Sequence, residues 1–166
     1  MNTVESVVEA VESYGKASGK SMRKIADEVH IDHTMISKAK HGKAKLPDYL
    51  DPALSGLNWR IALAVIDERT GGYISDILRL EPDIDLSPAG LKERLQIDLQ
   101  EAMDALKKVY MFKRQPDKRA MEDAWHQITD VIEVGTAARG VFEEKFGLDH
   151  KELVKIHNQQ RKEGKR

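Results

Sequence analysis

The sequence predicts an all-α protein with an N-terminal domain of short helices and a C-terminal domain built on two long ones. Three observations carry this. Apolar residues recur at helical spacing along most of the chain, as in Val7, Val8, Val11 and Tyr14, or Leu91, Leu95 and Leu99. Helix starts and stops punctuate those stripes, with Ser21, Asn58, Ser87-Pro88 and Asp149 as starts and Gly15, Gly42, Gly71-Gly72 and Gly147 as stops. One stretch, Glu81 to Asp85, combines a proline with acidic residues and has no stripe, so it reads as a linker. The predicted division is a domain over 1–80, a linker over 81–86, a helical domain over 87–158 and a basic tail over 159–166.

The first helix is expected from Thr3 to Tyr14, with Val4, Val7, Val8, Val11 and Tyr14 buried. Asn2 and Glu5 make a capping box, Gly15 ends the helix, and Lys16 to Lys20 form a loop. Ser21 then caps a short helix with Ile25, Ala26 and Val29 on one side. The chain turns at His30-Ile31, and Asp32 caps a second short helix running from His33 to Lys40. Gly42 stands where a helix C-terminus favours positive φ. Ile25, Ala26, Val29, Ile31, Ile36 and Ala39 form the apolar side of the pair, which leaves His33, Thr34, Ser37 and Lys38 polar and outward. Pro47 and Asp51-Pro52 read as starts of short helices. Asn58 caps a further helix to about Glu68, in which Trp59, Ala62, Leu63, Val65 and Ile66 are expected to close the core. Tyr73, Ile74, Ile77, Leu78 and Leu80 read as another short helix, with short strands as the alternative.

In the C-terminal domain, Ser87-Pro88 starts a long helix with the stripe Leu91, Leu95, Leu99, Ala102, Met103, Leu106, Val109 and Tyr110, close to a heptad seam. Gln115-Pro116-Asp117 breaks it. A second long helix carries Met121, Trp125, Ile128, Val131, Ile132, Ala138, Val141 and Phe142 and ends at Gly147. Asp149 and Glu152 make a capping box for a last helix through Leu153, Val154, Ile156 and His157, and the chain from Gln159 is expected to fray. Two long helices joined by a short turn make an antiparallel hairpin. Its free apolar side needs the last helix, the N-terminal domain or a second copy, and the expected answer is a homodimer or higher homo-oligomer.

Charge narrows the function. The 166 residues carry a net charge of −1, so the molecule is no polycation. Between Lys16 and Pro47, however, Lys16, Lys20, Arg23, Lys24, Lys38, Lys40, Lys43 and Lys45 are opposed only by Asp27, Glu28 and Asp32. That asymmetry is the footprint of a nucleic-acid-binding face. The absence of cysteine removes thiolate metal sites and disulfides. The N-terminus lacks the apolar core of a signal peptide, and the longest apolar run, Ile61 to Ile66, is far too short to span a membrane. A cytoplasmic protein is expected.

The stretch from Ser21 to Pro47 resembles, without a gap, the helix-turn-helix of the phage repressor and Cro family, the XRE class. Ala26 stands at the family's small residue in the first helix, Val29 and Ile36 at its two buried aliphatics, and Ser37-Lys38 follows Ile36 as is common there. Gly42-Lys43-Ala44-Lys45 resembles the loop after the recognition helix. His30 departs from the family's usual Gly. The resemblance implies a lambda-repressor-like N-terminal domain that binds a double-stranded DNA operator. His33, Thr34, Ser37 and Lys38 fall at base-reading positions, and Lys20, Ser21, Met22, Arg23, Lys40, Lys43 and Lys45 at backbone-contacting ones. A phage or mobile-element origin and repression by promoter occlusion follow from the same likeness. The region from Trp59 to Leu80 resembles, more distantly, CII-like phage regulators, which implies activation as the alternative. An antitoxin or host-factor-binding protein acting through the C-terminal helices is the rival from another class. No metal, cofactor or reaction is expected: the histidines lack zinc-site spacing, Gly71-Gly72 has no Lys-Ser/Thr behind it, and the carboxylates are spread over helix surfaces.

Overall fold

The computed structural model describes residues 6–109 and 117–165. The Asn2–Glu5 capping box, Val4, Tyr110 and the Gln115-Pro116 helix break lie outside the described residues. Every regular element among the described residues is helical: α1 (Ser6–Ser18), α2 (Met22–Glu28), α3 (His33–Lys40), a 3-10 turn (Asp48–Leu50), α4 (Asp51–Ser55), α5 (Trp59–Thr70), α6 (Ile77–Leu80), α7 (Pro88–Lys108), α8 (Lys118–Phe146) and α9 (His150–Lys162). The strand alternative for Tyr73 to Leu80 is thereby set aside. Among the described residues no helix is long and apolar enough to cross a membrane.

The chain divides into two compact units, 1–82 and 83–166. In the first, α1 lies against α2, α3 and α5, and α4 lies against α5. Val7, Val8 and Val11 of α1 meet Ile25, Ala26, Ile36 and Ala39 of the two short helices, and Leu50, Leu54, Ile61, Ala64 and Val65 close the cluster. None of these short helices is stable alone in water. Their shared cluster holds them.

Three expectations for this unit are corrected. Gly15 does not end α1, which runs on to Ser18 and stops at Gly19, φ +64°. Gly15 is buried, and a Cβ there would run into the end of Met22 and lie 3.1 Å from Ile25 Cδ1, so this glycine serves close packing of α2 on α1. In α5 the buried apolar residues are Ile61, Leu63, Ala64 and Val65. Trp59 is only half-buried, with the Arg60 guanidinium 4.9 Å from its ring centroid, so it is no core anchor. Tyr73 is 69% exposed, and only Ile77 of its stripe is fully buried.

In the second unit α7 and α8 lie against one another. The seam, however, takes only part of the expected stripe: Leu91 and Ala102 are buried and Leu95 is half-buried, whereas Leu99, Met103 and Leu106 are exposed. It is made by Leu91, Ala102 and Ala105 of α7 and Ala124, Val134, Ala137, Ala138 and Val141 of α8. Small residues let the two backbones approach, and Leu99, Met103, Leu106, Trp125, Ile128 and Ile132 are left outward. The buried carboxylate of Asp98 is bonded by Arg94 one turn earlier at 3.0 Å. Gly147, φ +62°, closes α8. In α9, Asp149 accepts from the Glu152 N–H at 3.0 Å; the helix buries no residue and continues to Lys162, past the expected fraying point.

Candidate nucleic-acid interface

The two short helices are set by local hydrogen bonds. The Ser21 hydroxyl accepts from the Lys24 N–H at 3.2 Å and so starts α2. At its end His30 takes φ +57°, the sole positive φ of a non-glycine among the described residues. The reversal lets the Ile31 N–H reach back to the Ala26 carbonyl at 3.0 Å. Asp32 then caps α3 by accepting from the Thr34 N–H at 2.8 Å. That N–H first, then the Thr34 hydroxyl, with Lys38 adding to them, hold the Asp32 carboxyl below its ordinary range. Gly42, φ +64°, ends α3, and the Lys43 N–H reaches the Lys38 carbonyl at 2.9 Å.

Around the helix axis this fixes which side chains face out. Ile36 and Ala39 are buried, and Met35 packs at the edge of the core. His33, Thr34, Ser37 and Lys38 are all exposed. They share the solvent side of α3, three of them in its first five residues. Together they offer hydroxyls, an imidazole and an ammonium, the groups that can address base edges.

The residues expected to contact a backbone separate into two sets. Lys20, Ser21, Met22 and Lys40 line one shallow groove of about 400 Å³, together with Lys16 and Glu12. Two of its cations are held by acids of the fold. Lys20 Nζ lies 2.8 Å from Glu28 and donates to the Tyr14 hydroxyl at 2.9 Å; Glu28 first, then Tyr14, keep its pKa above the ordinary value. Lys40 Nζ lies 2.7 Å from Glu12. Met22 is packed against the core over Gly15. The second set, Arg23, Lys43 and Lys45, is exposed, as is Lys24 beside it.

One positioning residue has no local sequence signal. Arg69, at the end of α5, donates to both carboxylate oxygens of Asp51 at 2.7 and 3.0 Å and to the Leu46 carbonyl at 3.3 Å. Asp51 first, then Asp48 and Glu68, raise its already high pKa. The chain leaving the Lys43–Lys45 loop is thereby pinned to α5. Arg69 and Asp51 are eighteen positions apart, so only the fold pairs them.

Among the described residues no group of three or more His, Cys, Asp or Glu side chains is placed to hold a metal ion. No family model, curated protein or solved structure matches the chain significantly.

Proposed function

We propose that the protein is a sequence-specific, double-stranded-DNA-binding transcriptional regulator of the XRE helix-turn-helix class, acting as a repressor in the cytoplasm of a bacterial host. The observation that carries the reading is the exposed polar face of α3, with His33, Thr34, Ser37 and Lys38 outward while Ile36 and Ala39 are buried. A recognition helix needs that arrangement, because its N-terminal and outer residues enter the major groove. Exposed Arg23, Lys24, Lys43 and Lys45 flank it, where they can meet phosphates and fix the register. Lys20 and Lys40 are assigned a smaller share, since Glu28 and Glu12 already satisfy them.

In the same reading the second unit is an antiparallel α7–α8 hairpin. Chain length supports it. Leu95 lies beside Gly135, its Cδ1 3.8 Å from where a Cβ there would stand. Were the helices parallel from that contact, Lys108 would stand opposite Leu148, about 45 Å from Lys118. Ten residues of chain span at most about 36 Å.

The test is selection of binding sites from random duplexes by the full chain. An enriched sequence whose affinity falls steeply with salt is expected. Failure to retain any duplex at low ionic strength would sink the proposal, and retention without enrichment would reduce it to non-specific binding.

A further inference from the structure

Six large side chains of the second unit stay 39 to 50% exposed: Leu99, Met103 and Leu106 on α7, Trp125, Ile128 and Ile132 on α8. Their helical phase places them together. At 3.6 residues per turn the α7 set centres about 90° from that helix's seam, and the α8 set about 140° from its own, both in the same rotational sense. On antiparallel helices the same sense leads to the same side of the pair, so the six form one strip. The last helix, α9, has no buried residue, and its ion pair to α8, His150 to Glu143 at 3.0 Å, lies at the C-terminal end of α8, beyond the six.

We propose that this strip is a homodimer interface, in which two α7–α8 pairs close a four-helix bundle. Three features select a second copy over another occupant. Each set spans one seven-residue step with a member between, the spacing at which bundled helices keep one seam turned to their partners. The six side chains carry no charge, which suits a two-fold contact, because any charge near the axis would oppose its own copy. The strip also presents roughly 500 Å² of surface, at the upper end for a monomer's largest apolar patch. Doubled by self-association, it reaches the roughly 1,000 Å² that a specific interface requires. The inference rests on the antiparallel reading of α7 and α8 and is independent of DNA binding.

The experiment is sedimentation of the full chain without DNA, with Met103→Lys, Ile128→Lys and Ile97→Lys as variants. Ile97 is as exposed as Met103 but lies on the other side of α7. Dimeric wild type and Ile97→Lys are expected. Met103→Lys and Ile128→Lys should keep their helical circular dichroism and dissociate at least about thirty-fold more readily, the factor for a central interface residue. Dissociation by only one of the two would place them on opposite sides and overturn the hairpin reading with the proposal. A monomeric wild type at micromolar concentration overturns the interface alone. A reading free of disruptive substitutions comes from Trp59→Phe, which leaves Trp125 as the only tryptophan. Its emission should shift to the blue as concentration rises through dimerisation. Emission blue at every concentration, with a monomer in sedimentation, would mean that the chain's own N-terminal unit covers the strip. Emission that stays red throughout would mean that nothing in the chain does, and either result rejects the dimer.

Discussion

His30 sets the direction in which α3 leaves α2, and its left-handed backbone can be tested by substitution. A β-branched residue is strained at φ +57°, so His30→Val should lower stability by about 1–2 kcal/mol. His30→Gly, free of that strain, should cost nothing measurable; equal urea midpoints for the two variants would contradict the role given to the turn. On α3 itself, Lys38→Ala and Thr34→Ala should each relax sequence preference by about 1–3 kcal/mol against the chosen base. Lys45→Ala should instead weaken all duplexes alike and reduce the salt slope by about one. Site selection that returns the same motif with the same strength for Lys38→Ala and wild type would remove Lys38 from the base-reading set. The outward face of α3 was legible in the sequence because caps, stripe and turn are all local, within the 22 residues from Ser21 to Gly42. Met22 was not, since its surroundings come from Gly15 on another helix. Nor was the ion pairing of Lys20 and Lys40, which depends on acids that only folding brings near.

At the scale of elements, charged side chains at α5 and α6 have opposite consequences. Arg69 ties α5 to the start of α4, so Arg69→Ala should cost about 2 kcal/mol, the worth of hydrogen bonds to a charged group left without a partner. Arg69→Lys should recover little of that, because an ammonium lacks the planar fork that meets both oxygens of Asp51; full recovery of the thermal midpoint would argue against the bidentate contact. Asp76 caps α6 by accepting from the Leu78 N–H at 2.9 Å, yet it is buried, and burial, with Asp67 nearby, pushes its pKa up. The unfolded chain therefore loses this proton first as pH rises. Between the ordinary Asp value and the raised one the folded state binds more protons, and stability falls with increasing pH. Asp76→Asn keeps a capping oxygen and removes the penalty. It should gain on wild type as pH rises through that window, and parallel urea midpoints from acid to neutral pH would refute the assignment. Element existence was legible because α2, α3, α5, α7 and α8 carry their own capping residue and apolar stripe. Element packing was less so. The expected stripe reads as one internal seam, but Leu91, Ala102 and Ala105 are the α7 residues that are buried, and Leu99, Met103 and Leu106 of the same helix stay exposed.

For the whole molecule, the proposed recognition face of α3 and the proposed α7–α8 interface together constrain the operator. Two copies related by a two-fold axis present their α3 helices in inverted order, so the site should be an inverted repeat. Helices entering successive major grooves on one side of the duplex sit about 34 Å apart, which sets half-site centres about 10 base pairs apart or at a multiple of that turn. The tether between the units limits how far this spacing can stretch. Glu81 still donates its N–H to the Ile77 carbonyl at 2.7 Å, and the Asp85 carboxylate already accepts from the Ser87 N–H at 2.9 Å. Only Pro82, Asp83 and Ile84 lie between, and four residue steps reach about 13 Å. Inserting half a turn of DNA adds about 17 Å and carries one half-site to the opposite side of the duplex. Two short tethers cannot follow both changes, so binding should fall toward that of a single half-site, because the second contact no longer benefits from a high local concentration. A full-turn insertion restores the facing and should recover part of the affinity. The measurement is a series of operators with base pairs added one at a time between the half-sites. Affinity should pass through a minimum at the half turn, and affinity undiminished across the series would rule out a two-fold dimer that reads both half-sites at once.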